Sequence, residues 1–109
     1  MTTSTQDHDV AFFPGQLIRH RLFGYRGVVY DVDAEFAESD EWYESMAKSS
    51  PPKDRPWYRV LVDGQAVTTY VAERNLEPDE SGAPIRHPLV EAFFTAFDDG
   101  VYRLRVSSN

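Results

Sequence analysis

From Phe12 onward, hydrophobic and polar positions alternate through most of the chain, the period-two signature of half-buried strands. Leu17–Arg21 predicts a short strand, with Gly24 and Gly27 punctuating a turn. Val28, Tyr30 and Val32 then alternate with Val29 and Asp31 as a second strand. "WYRVLVDGQAVTTYVA" gives the clearest hairpin. Tyr58, Val60 and Val62 share one face, Asp63-Gly64 is a strong turn signal, and Val67, Thr69 and Val71 resume the alternation. Tyr102, Leu104 and Val106 predict a last short strand.

Two stretches follow a different period. Asp33 to Pro56, twenty-four residues, is too long for a plain connection and predicts a helical insertion between strands two and three. Ser39 can cap that helix, Asp40 and Glu41 suit its positive end, and Trp42 with Met46 and Glu44 with Lys48 stand at i,i+4 spacing before "SSPP" stops it. "HPLVEAFFTAFDDG" predicts a C-terminal helix, with Pro88 at the first position, a Leu89-Phe93-Phe97 stripe and Gly100 as terminator. "NLEP" reads as a single helical turn and "ESGAP" as a loop. Short strands with tight turns and two helical pieces give a mainly β fold, a small SH3-like barrel with that insertion and C-terminal helix. Residues 1–11 are expected to be a flexible N-terminus and 12–106 one domain.

Composition fits a folded globule: 41% hydrophobic residues, with seven Phe, six Tyr and two Trp. No cysteine is present, so neither disulfides nor thiolate metal sites are expected. "MTTSTQDHDV" lacks the basic start and apolar run of a signal peptide, and no apolar segment has the ~20 residues that span a bilayer. A cytoplasmic protein is expected. The net charge of −7 is concentrated: Asp31, Asp33, Glu35, Glu38, Asp40, Glu41 and Glu44 fall in fourteen residues without a Lys or Arg. Outside that segment eleven acids balance eleven bases, so overall acidity does not exclude a nucleic-acid partner.

Catalysis is not expected. His8, His20 and His87 show no metal-ligand spacing, and GxSxG, P-loop and GxGxxG patterns are absent. No cofactor or metal is expected either. The chemistry that is present is cationic and aromatic. Arg19, His20, Arg21 and Arg26 could contact phosphates, guanidinium forks matching phosphate oxygens, while Phe23 and Tyr25 stack on a base. The alternative is a hairpin whose charges face water. Lys53, Arg55 and Arg59 beside Trp57 and Tyr58 mix cations with aromatics in the same way, and strand alternation turns one of those two aromatics outward. Trp42 and Tyr43 on the acidic helix either dock a partner protein or pack on their own sheet. The C-terminal Phe stripe is either core or a self-association surface.

In order along the chain, "GQLIRHRLFGYRGVVYDVD", "WY" at 42–43, "PPKDRPWYRVLVDG", "TYVAERNLEPD" and "PIRHPLV" resemble the HspQ/YccV-like family of small bacterial heat-shock proteins, over roughly Phe12 to Tyr102. The resemblance implies an SH3-like barrel, a cytosolic setting, no catalytic residues, and self-association as a homo-oligomer, a trimer among the options. It also implies two different roles. One is an accessory factor in protein quality control that promotes degradation of client proteins by the ATP-dependent Lon protease; the residues read above as candidates for that contact are Trp42, Tyr43, Trp57 and Tyr58. The other is binding of hemimethylated DNA, linked to control of replication initiation; the candidates read from the charges for that contact are Arg19, His20, Arg21, Arg26, Lys53, Arg55 and Arg59.

Overall fold

The computed structural model describes residues 10–47 and 49–106. The expected Glu44–Lys48 pair, His8 and most of the N-terminal segment lie outside the described residues. Among the described residues seven strands form two antiparallel sheets. β1 (Leu17–His20), β2 (Arg26–Asp33), β3 (Trp57–Val62), β4 (Thr68–Ala72) and β5 (Leu76–Pro78) make a five-stranded sheet in the order β4-β3-β2-β1-β5. β6 (Phe94–Asp98) and β7 (Val101–Leu104) make a two-stranded one.

A 3₁₀ turn, Glu73–Asn75, joins β4 directly to β5, although these strands are the two edges of the sheet. In a flat sheet at ~4.8 Å per strand the edges would lie about 19 Å apart. A three-residue turn rising ~2 Å per residue cannot reach that far. The sheet therefore curls, yet β4 and β5 share no ladder.

Both faces of the curled sheet are covered. Ile18, Val29, Tyr58, Val60, Val71 and Leu76 meet Phe12 on the inner face, while Leu17, Val28 and Leu61 meet Ile85, Phe94 and Tyr102 on the outer one. A register shift between Val29 and Asp31 makes the double cover possible. With strict alternation Val29 and Val32 would face opposite ways; the extra residue, Tyr30, returns Val32 to the inner cluster and itself packs outward, its ring 4.5 Å from that of Phe93.

Three expectations need correction. The "NLEP" helical turn lies one step earlier, at Glu73–Asn75, and Leu76–Pro78 is β5, held to β1. Gly27 belongs to β2, opposite Ile18 and Val62, and does not sit in the turn. The C-terminal helix is reduced to α2, Val90–Phe93, after which the chain is extended. Asp99 and Gly100, both with positive φ (52° and 78°), form the two-residue loop between β6 and β7, a conformation suited to a type I′ hairpin turn. Extending the chain there lets Phe94 and Tyr102 cap the outer face of the main sheet, which a helix continuing from Phe93 would not do. Gln16 bridges Val101, and the Tyr102 N–H donates to Gly15 O at 2.9 Å, fastening the hairpin.

The insertion holds α1, Asp40–Met46. Ser39 caps it as expected, its Oγ accepting the Trp42 N–H at 3.0 Å. The helix is anchored by Phe36, whose ring lies 4.9 Å from Trp57, 5.3 Å from Tyr43 and 5.9 Å from Trp42.

Candidate functional site

A cleft of about 680 Å³ follows β4. Thr69 and Val71, on the inner face of that strand, line it together with Tyr70 and Ala72, on the outer face, so it wraps the strand's edge. The β1–β2 turn forms one wall, with Leu22 and Phe23 protruding (62% and 74% exposed). Trp42 and Met46 of α1 form the other. Trp57 and Arg59 contribute to its lining.

His20 shapes the turn wall. It is buried, and its Nδ1 accepts the backbone N–H groups of Leu22 and Phe23, both at 3.1 Å. A ring nitrogen that accepts carries no proton, so the neutral imidazole has its proton on Nε2. Burial also pushes the His20 pKa down from its ordinary value. The Phe23 ring stacks on this imidazole, centroids 4.6 Å apart, which fixes an otherwise exposed aromatic. Tyr25 bridges to β4 through its hydroxyl, 2.8 Å from Thr69 Oγ1.

On the opposite side Arg59 lies 4.2 Å above the Tyr70 ring and reaches Asp33 at 3.3 Å and Glu38 at 3.0 Å. Burial disfavours its charge, but the hydrogen bond it donates to Glu38 and the field of Asp33 more than compensate, and its pKa stands above the usual value. Tyr70 donates to Asp33 Oδ2 at 2.7 Å; burial and then this bond push its hydroxyl well above the ordinary range. Part of the acidic segment is therefore folded back onto the β3 arginine.

The sequence-predicted cations are dispersed, and most contact carboxylates. Arg26 uses all three side-chain nitrogens: Nε donates to Asp79 at 2.9 Å, one terminal nitrogen to Asp63 at 3.0 Å and the other to the Ala83 carbonyl. Asp79 is almost fully buried. Burial alone would raise its carboxyl, but the Ser81 hydroxyl, Arg26 and Arg19 outweigh it and hold the pKa below the ordinary value. Arg19 and Arg21 are exposed and loosely paired, with Asp79 at 3.7 Å and Glu77 at 3.6 Å. Lys53 meets Asp40 at 3.1 Å and sits 4.4 Å over Tyr43. Arg55 is exposed, with no carboxylate partner among the described residues.

Of the predicted residues, the cleft brings together His20, Trp42, Trp57 and Arg59, and leaves Arg19, Arg21, Arg26, Lys53, Arg55, Tyr43 and Tyr58 outside. The expectation that Trp57 or Tyr58 faces outward fails. Both are buried, because Phe36 and α1 cover the outer face where the inner core covers the other. Tyr43 is half-buried, donating to Pro51 O at 2.6 Å. Tyr70 and Phe36 went unnoticed. The signal for Tyr70 was its place opposite Thr69 and Val71 in the alternation; that for Phe36 was an isolated aromatic among acids.

Among the described residues, no three His, Asp or Glu side chains gather as a metal-binding group, and no helix is long and apolar enough to cross a membrane. The molecule is thus a small, mainly β domain with two sheets and few helices, whose chief concavity is aromatic. A family model described as "Hemimethylated DNA-binding protein YccV like" matches residues 10–101. The chain belongs to this YccV-like family, as the resemblance of its motifs implied.

Proposed function

We propose that this protein is a non-catalytic, cytoplasmic accessory factor of the heat-shock response, built on an SH3-like barrel, that promotes degradation of selected proteins by the ATP-dependent Lon protease. The observation that carries this reading is the pairing of a large aromatic cleft with arginines largely engaged by carboxylates. Exposed Phe23, Leu22 and Met46 around a concave floor are the makings of a protein-docking surface, where buried aromatic anchors supply most of the binding energy. Arg26 and Arg59, by contrast, would have to give up close ion pairs before meeting a phosphate. The curl of the sheet and the single 3₁₀ turn between β4 and β5 support the barrel. The exposed Leu89, Val101 and Leu104 support self-association as a homo-oligomer.

The test is degradation of a client by purified protease with and without the factor. Phe23→Ala and Trp42→Ala, each shown to remain folded, are expected to lose the stimulation. Stimulation that survives both changes overturns the reading.

A second reading, binding of hemimethylated DNA, is favoured by the description of the family itself and by the exposed Arg19 and Arg21, whose nearest carboxylates stand 3.7 and 3.6 Å away. Anisotropy of a short duplex in hemimethylated, fully methylated and unmethylated forms tests it. A steep loss of affinity with salt and a preference for the hemimethylated duplex, both weakened by Arg19→Ala, are its expected signs.

A further inference from the structure

β4 is an edge strand, and the ladder on its inner side fixes which of its main-chain groups are open. The Val62 N–H donates to Val67 O at 3.2 Å and the Glu73 N–H to Pro56 O at 3.1 Å, continuing a register that pairs Val60 with Thr69 and Tyr58 with Val71. Hydrogen-bonded and non-bonded pairs alternate in an antiparallel ladder. Thr69 and Val71 therefore turn their N–H and C=O groups to β3, while Thr68 and Tyr70 turn theirs to the free edge. Among the described residues these outward groups have no partner. The cleft lies along this edge, with apolar walls on both sides. A second open group lines it: among the described residues the Nε2 donor of the buried His20 has no acceptor.

We propose that the cleft takes an extended segment of a partner polypeptide as an added strand on β4, with one apolar side chain set between Phe23 and the Trp42–Met46 wall and basic residues flanking it. Thr68 and Tyr70 supply the main-chain ladder, and His20 Nε2 donates to a carbonyl of the segment. Strand addition uses backbone bonds for affinity and alternate side chains for specificity. The basic flanks follow from charge. Glu41 and Glu44 are exposed on α1, and Arg59, the cation in the cleft, is neutralised by Asp33 and Glu38. The protein's own first nine residues, polar and carrying Asp7 and Asp9, have neither the apolar anchor nor the charge. This deepens the adaptor reading by naming the chemistry of the partner, but its test needs no protease.

The probe is a fluorescein-labelled octapeptide of lysine and valine around one central phenylalanine, titrated into the full chain and followed by anisotropy and by backbone amide shifts. Two further versions are N-methylated at every second residue, in the two possible phases, and a third carries glutamate for lysine. The expected result is perturbation at Thr68, Tyr70 and His20, a tenfold or greater loss with one methylation phase but not the other, and a similar loss with glutamate. Thr68→Pro removes one outward donor without breaking the β3 ladder and is expected to weaken binding by the same order. Met46→Glu, an exposed wall residue, provides a second variant should the proline disturb the strand. Equal binding by both methylated phases, no binding of the parent peptide, or β4 amides that respond to a DNA duplex and not to the peptide would each overturn the proposal. Peptide binding without stimulated proteolysis would sink the protease reading and leave this one standing; the reverse result would do the opposite.

Discussion

The Tyr58 hydroxyl donates to Glu73 Oε2 at 2.5 Å and at the same time accepts the backbone N–H groups of Ala11 at 3.1 Å and Phe12 at 3.3 Å. One side chain of β3 thus ties the first described residues to the turn that joins the sheet's two edges. Burial, and then the bond to Glu73, push this hydroxyl far above its ordinary range, so it remains a donor at any physiological pH. Tyr58→Phe keeps the edge-on contact with the Phe12 ring and leaves Ala11 N–H on Glu73 Oε2 at 2.9 Å, but it strands the buried Phe12 N–H and takes a donor from the Glu73 carboxylate. A loss of about 1–3 kcal/mol is expected in denaturant unfolding.

His20 makes stability depend on pH near neutrality. Its folded pKa is depressed by burial, so the unfolded chain takes up its proton first, near pH ~6.5. The contribution is present in full above that value and is lost as pH falls through the folded pKa, because stability rises with pH wherever the unfolded state holds more protons. His20→Asn can still accept the Leu22 and Phe23 N–H groups with its side-chain oxygen but does not titrate. Thermal unfolding between pH 5 and 7.5 should show a shallower slope for the variant than for the parent.

Arg26 and Asp79 respond to acid at a lower pH. The Asp79 carboxyl is held below its usual value, so the stabilisation it brings is complete above ~3.9, the unfolded value, and is lost as pH falls through the folded one. Arg26→Ala leaves that nearly buried carboxylate with only Ser81 and a distant Arg19. The expected cost is about 1.5–3 kcal/mol at pH 7. The difference between variant and parent should narrow in unfolding curves recorded toward pH 3.

Gly15 lies where the two sheets meet. Its φ of 102° is strained for any side chain, and an added Cβ would run into the Tyr102 carbonyl. Gly15→Ala is expected to lose well over ~1 kcal/mol. Hydrogen exchange should locate the damage, with β6 and β7 amides losing protection before those of β3.

Local rules sufficed where local chemistry decided the outcome. The Ser39 cap, β1 and the β3–β4 hairpin are each set by neighbours in sequence, and the structure places them as expected; β2 also forms, but the bulge at Tyr30 breaks its expected alternation and puts Val32 on the face opposite Val28. The segment after Pro88 was misread because it satisfies two periods at once. Leu89, Phe93 and Phe97 form a helical stripe, while the Asp99-Gly100 pair is also a hairpin signal. The outer face of a sheet built from residues 17–61 decided between them. The arginines raised the same difficulty. Asp63 and Asp79 are 37 and 53 positions from Arg26, so nothing near "YRGVV" indicates that its charge is taken. Likewise neither face of β3 is open at Trp57 and Tyr58, because an aromatic from the acidic insertion and another from the N-terminal end arrive to cover them.

The bridge between Gln16 and Val101 also constrains how the molecule is made. A ribosome adding about 5–20 residues per second takes several seconds to pass from one of these residues to the other. Leu17 and Val28, and later Leu61, leave the tunnel ahead of Phe94 and Tyr102 and have neither to cover them. Until β6 and β7 arrive, the nascent chain is therefore a half-finished sheet with a bare apolar side.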